Sequence, residues 1–115
     1  MKYRLFFLCV FTLLALSSCK NEQITITITS PADGAIFSRN QSVPVNVKAS
    51  TTKGSIIQVQ IFIDDSEPFA SRTATPYNFI IPPDTMSAGL HIISATAYSS
   101  GKNQEMAAIM IKIEE

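Results

Sequence analysis

From Ile24 the chain alternates apolar and polar side chains without a fault, Ile24, Ile26 and Ile28 against Thr25, Thr27 and Thr29. A period of two sends successive side chains to opposite faces, so this stretch predicts a half-buried strand. The alternation returns in Val43, Val45, Val47 and Ala49, interleaved with Pro44, Asn46 and Lys48. It returns again in Ile57, Val59, Ile61 and Ile63, interleaved with Gln58, Gln60 and Phe62. Residues 77–81, 90–98 and 106–113 complete the series, and no window carries helical spacing. Turn chemistry separates these runs: Pro31-Ala32-Asp33-Gly34, Lys53-Gly54, Asp64-Asp65-Ser66, Pro82-Pro83-Asp84 and Ser100-Gly101-Lys102. About seven short strands with frequent turns predict an all-β, two-layer antiparallel sandwich.

The break after the first strand raises a question of its own, because Ile36 and Phe37 follow the turn directly. Pro31 suits the second position of a turn and Gly34 the left-handed conformation that follows. The two large hydrophobes are then expected to close the open end of the sandwich, where strand alternation buries nothing.

Strand parity also predicts a surface. With Ile57, Val59, Ile61 and Ile63 inward, Phe62 points out. With His91, Ile93, Ala95 and Ala97 inward, Ile92 and Tyr98 point out, and with Ala107, Ile109, Ile111 and Ile113 inward, so do Met106, Ala108 and Met110. If these strands are sheet neighbours, Phe62, Ile92, Tyr98, Met106 and Met110 form an exposed apolar face, which marks an interaction surface for a protein partner or for self-association. Lys112, Glu114 and Glu115 read as charges guarding an edge strand.

The start of the chain is of a different kind. Lys2 and Arg4 precede residues 5–16, which are apolar but for Thr12, the layout of a secretory leader too short to serve as a permanent span. Leu16-Ser17-Ser18-Cys19 resembles the lipobox of bacterial lipoproteins, which implies removal of residues 1–18 and a diacylglycerol on Cys19. Residues 19–23 then form the lipidated cysteine and a short tether, and residues 24–115 the folded domain. Cys9 leaves with the leader and Cys19 carries lipid, so no disulfide is expected. Each buried acyl methylene contributes about 0.8 kcal/mol, so two or three chains hold a protein on a membrane. Lysine and glutamate soon after Cys19 resemble the surface-export signal of Bacteroidetes lipoproteins, which implies the outer membrane and the cell surface. Removing Lys2 and Arg4 from nine basic residues leaves seven against nine acidic ones, a net of about −2. That balance argues against nucleic acid, which needs clustered cations.

Four stretches carry a family resemblance. "ITSPADGAIF" resembles the SPxDGxxF opening of bacterial Ig-like domains, and "IQVQIFIDD", "TPYNF" and "SAGLHIISATAYSSG" are similar to later elements of that family in order. The resemblance implies an immunoglobulin-like sandwich acting as a spacer or binding accessory. Two positions depart from it: Asp65 stands where the family has glycine, and Ser99 near where it has aspartate, which removes support from a cation site there.

Little chemistry is on offer. His91 is the only histidine, too few for a catalytic triad or a zinc site. A hydrogen-bonded position at the edge of the core is the reading it supports. Asp64, Asp65 and Glu67 match no calcium loop and read as a solvated turn, so no metal and no cofactor is expected. A glycan platform needs exposed aromatics, and with no tryptophan and Phe37, Tyr77 and Phe79 assigned to the core, only Phe62, Phe69 and Tyr98 remain. The sequence therefore points to a non-catalytic, membrane-anchored structural or protein-binding module, with carbohydrate binding in an uptake or adhesion system as the alternative.

Overall fold

The alternating isoleucines do bury one face. In the computed structural model, which describes residues 21–115, Ile24, Ile26 and Ile28 lie half-buried against the core while the threonines between them face solvent. They form β1 (Ile24–Ser30). It is followed by β2 (Ile36–Ser38), β3 (Val43–Thr51), β4 (Ile56–Ile63), β5 (Pro68–Arg72), β6 (Tyr77–Ile81), β7 (Gly89–Ser99) and β8 (Gln104–Glu114). The leader and Cys19 lie outside the described residues.

Two sheets result, one ordered β1-β3-β6 and the other β2-β8-β7-β4-β5. Val43, Val45, Tyr77, Phe79 and Ile81 from the smaller sheet meet Val59, Ile61, Ile93, Ala95, Ala97, Ile111 and Ile113 from the larger. Each fully buried Ile, Val or Phe side chain contributes roughly 1.5–3 kcal/mol, enough for a single core without disulfides. At the seam between the sheets the Arg72 guanidinium of β5 lies over the Phe79 ring of β6, 5.1 Å from its centroid, a cation–π contact.

The described residues form eight strands rather than about seven. β2 is too short for periodicity to show. β5 opens on proline and keeps only Ala70 partly covered, so its sequence, Pro-Phe-Ala-Ser-Arg, carries no alternation. Pro68 is tolerated because β5 is an edge.

Four expectations need correction. Ile36 does not close the end of the sandwich: it is 60% exposed, and only Phe37 packs against the core. β2 instead runs parallel to β8, with Ile36 opposite Lys112 and Ser38 opposite Glu114, the one parallel pair among the described strands. The turn itself spans Ala32 to Ala35, whose N–H donates to the Ala32 carbonyl, so Pro31 precedes the turn and is buried. Ile57 faces out at 49% exposure, because the register against β7 shifts between Ile56 and Gln58 and Ile56 takes the inward place. Lys112 and Glu114 therefore lie on a strand segment covered by β2, not on a bare edge.

Candidate interaction face

β8, β7 and β4 are consecutive in the larger sheet, so their outward residues share one surface. Ile92 and Met110 are direct cross-strand partners, both exposed, and Met106 stands opposite Thr96. Phe62 pairs with Ser94 and is half-buried; so is Tyr98, whose hydroxyl donates to Gln60 Oε1 at 3.0 Å. Ser94 and Thr96 face outward by parity yet are buried. They are small residues between larger neighbours, Phe62 beside the first and Met106 beside the second, so flanking side chains screen them.

The structure adds two residues to the face. Ile36 of β2 and Leu90 of β7 both stand opposite Lys112 on the outward side, exposed at 60% and 67%. With Ile92 and Met110 they line a shallow groove of about 580 Å³, bounded by Asp33 and Gly34. Leu90 was within reach of parity, since it sits two residues before Ile92. Ile36 was not, because its face depends on the parallel pairing with β8.

That pairing answers the question the turn posed. Gly34, at φ 87°, donates its N–H to the Met110 carbonyl at 2.6 Å, and the Met110 N–H donates to Asp33 Oδ1 at 2.8 Å. The Lys112 N–H donates to the Ala35 carbonyl. The turn and the residues after it therefore satisfy the outer edge of β8, which would otherwise offer open donors and acceptors.

His91 is buried at the start of β7. Its Nδ1 meets Asp64 Oδ2 at 2.6 Å and its Nε2 the Ser87 carbonyl at 2.6 Å. Desolvation pulls the imidazole down, but the bonds to Asp64 and Ser87 and the Asp64 charge outweigh it and hold its pKa above the ordinary value. For Asp64 desolvation pushes up, and the Ile92 N–H together with His91 more than offset it, leaving the carboxyl below its usual range. Both ring nitrogens are already engaged with acceptors, so neither is turned toward a nucleophile. Asp64 spends both oxygens on His91 and Ile92, which leaves Asp65 and Glu67 as exposed turn residues. Among the described residues no group of three His, Cys, Asp or Glu side chains is placed to hold a metal ion.

Aromatic placement is equally plain: Tyr77 and Phe79 are buried, Phe37, Phe62 and Tyr98 half-buried, and Phe69 exposed at 38%.

The family model of the bacterial Ig domain matches residues 25–95, from β1 into β7. The chain belongs to the bacterial Ig domain family. No curated protein matches it. Among solved structures it is similar to the fibronectin(III)-like modules of Clostridium thermocellum CbhA, with a TM-score of 0.72 and 22% identity. That alignment covers 82% of this chain but 48% of the other, so the chain spans about half the length of its structural neighbour. At that identity the likeness is one of fold. In this bacterial Ig domain, Asp65 takes the glycine position of the β4–β5 turn at φ 55°, directly after Asp64 at φ 56°. Ser99 is buried, with its hydroxyl donating to Glu22 Oε1 at 2.9 Å.

Proposed function

We propose that this bacterial Ig domain is a non-catalytic module of the cell envelope, tethered through lipid on Cys19, whose larger sheet docks another protein or a second copy of the chain. The observation that carries the binding half is the outward row Ile36, Leu90, Ile92, Met106 and Met110: five large exposed apolar side chains on one side of one sheet. Scattered exposed hydrophobes are ordinary, but adjacent ones on neighbouring strands give a partner continuous area to desolvate. The tether half rests on the Leu16-Ser17-Ser18-Cys19 sequence. Mass spectrometry of the membrane-extracted protein tests it directly: a diacylglyceryl mass on Cys19 is expected, and a bare thiol ends this half. Protease treatment of intact cells then separates an outer-membrane surface location from a periplasmic one. Crosslinking in living cells, repeated with Ile92 and Met110 both changed to threonine, tests the docking half.

A glycan reading has one observation behind it. A groove of about 580 Å³ on the smaller sheet is lined by Thr25, Thr27, Thr29, Lys48, Ser50 and Asn78, which offer hydroxyl, amide and ammonium groups. Its one ring, Tyr77, is buried, so a sugar would have hydrogen bonds there and no stacking surface. Retention on a glycan array that Asn78→Ala removes would favour this reading over protein docking.

A further inference from the structure

The chain enters the domain through a clamp. Glu22 Oε1 accepts from Ser99 Oγ at 2.9 Å and from Asn103 Nδ2 at 2.6 Å, and its Oε2 accepts from Thr51 Oγ1. Gln23 donates its N–H to Thr52 Oγ1 and accepts from the Thr52 N–H at 3.0 Å. These bonds pin the entering strand to the β3–β4 and β7–β8 turns, which themselves interlock through Ser100 N–H to the Ser55 carbonyl and Ser55 N–H to Ser100 Oγ. Cys19 is three residues before Glu22, a reach of about 10–11 Å at full extension. So short a reach ties the lipidated residue to one particular end of the sandwich.

Charge is sorted along the same axis. Lys53 and Lys102 sit in the two turns at the clamped end, where Glu22 and Glu105 balance them, so that end is near neutral. At the other end lie Asp64, Asp65 and Glu67 after β4, Asp84 before β7, Glu114 and Glu115 at the close of β8, and Asp33 beside Met110. That is seven of the nine acidic residues. Among the described residues Arg39 and Lys112 partly offset them there, through Asp84, Glu115 and Glu114, and so does His91 through Asp64. A leaflet of anionic lipids attracts lysines by about 1 kcal/mol each near its surface and repels carboxylates within a Debye length.

We propose that the end built from the β3–β4 and β7–β8 turns is the membrane-facing pole of the domain. Glu22 holds it upright, Lys102 rests on lipid phosphate, and the acidic pole points away. This rests on the proposed lipidation of Cys19. In this pose the apolar face of β8, β7 and β4 stands sideways to the membrane, open to partners anchored in the same leaflet.

The test uses the full-length, acylated protein in phosphatidylglycerol–phosphatidylcholine vesicles, with a fluorophore on Gln104→Cys near the clamped end or on Glu67→Cys at the other. Nitroxide groups on the lipid heads serve as quenchers. Quenching at position 104 at least threefold stronger than at 67 is expected, and Glu22→Ala should bring the two sites close to equal without lowering the strand content. Equal quenching in the unaltered acylated protein overturns the orientation, and a difference that survives Glu22→Ala overturns the clamp. A chain with unacylated Cys19 that fails to float with vesicles sinks the tether reading and this inference together; acylated protein with equal quenching sinks only the inference.

Discussion

Both ring nitrogens of His91 lie against acceptors, the Asp64 carboxylate and the Ser87 carbonyl, so the native structure favours the imidazolium. A raised histidine pKa stabilises the fold fully below its ordinary 6.5 and stops doing so as pH rises through the higher folded value. The lowered Asp64 works on the opposite limb: its contribution is present above 3.8 and is lost as pH falls through the lower folded value. Glu22, held below its ordinary 4.5 by Asn103, Thr51 and Ser99, acts in the same direction. Denaturant midpoints should therefore be highest between about pH 4.5 and 6.5 and decline toward pH 8.5. His91→Gln should cost about 1 kcal/mol at pH 5.5, discounted for the exposure of Asp64, and should flatten the alkaline decline. A decline of equal slope in the variant would falsify the assignment. Next to Asp64, Asp65 adopts φ 55° with no bond to compensate, whereas Asp64 at φ 56° is repaid by His91 and Ile92. Asp65→Gly should raise stability by about 0.5–1 kcal/mol in thermal melts, and Asp64→Gly should lower it.

At the scale of elements, the turns are where substitutions separate. Gly34 and Gly54 both need positive φ, at 87° and 68°. A Cβ on Gly34 would meet nothing within 4 Å, while one on Gly54 would lie 2.3 Å from Ser100 Oγ, the acceptor for the Ser55 N–H. Gly34→Ala is expected to cost about 1–2 kcal/mol from backbone strain alone. Gly54→Ala should cost about 1 kcal/mol more, because Ser100 must rotate away and give up its bond. Urea denaturation of both variants checks the order; equal losses would mean that the β3–β4 and β7–β8 turns are not coupled. β2 teaches a related lesson. Three residues cannot stand as a strand alone, and β2 persists because Asp33, Gly34 and Ala35 have already docked on β8.

For the whole molecule, burial decides which part of the outward face can be probed. Phe62 and Tyr98 are half-buried, so truncating them would disturb the sheet as well as the surface. Ile92 and Met110 are exposed partners on adjacent strands, and changing both to threonine keeps strand-forming side chains while removing apolar area. Stability should then move by no more than about 1 kcal/mol. Self-association measured by sedimentation, or retention of a captured partner, should weaken at least tenfold. Unchanged association would exclude this face.

The alternation of apolar and polar residues determined the sandwich, because a strand with one wet face has only one way to dispose its side chains. It placed six of the strands, and it set Val59, Ile61, Ile93, Ala95, Ala97, Ile111 and Ile113 on the buried side. Sequence likewise brought Ile92, Met106 and Met110 to one outward surface, since β4, β7 and β8 did prove neighbours. Three things depended on contacts between residues far apart in the chain: the parallel docking of β2 that turns Ile36 outward, the register shift that exchanges Ile56 for Ile57, and the meeting of Glu22 with Ser99 and Asn103. Periodicity reports which face a residue takes within its own strand. Which partner waits on that face is settled only when the two sheets close on each other.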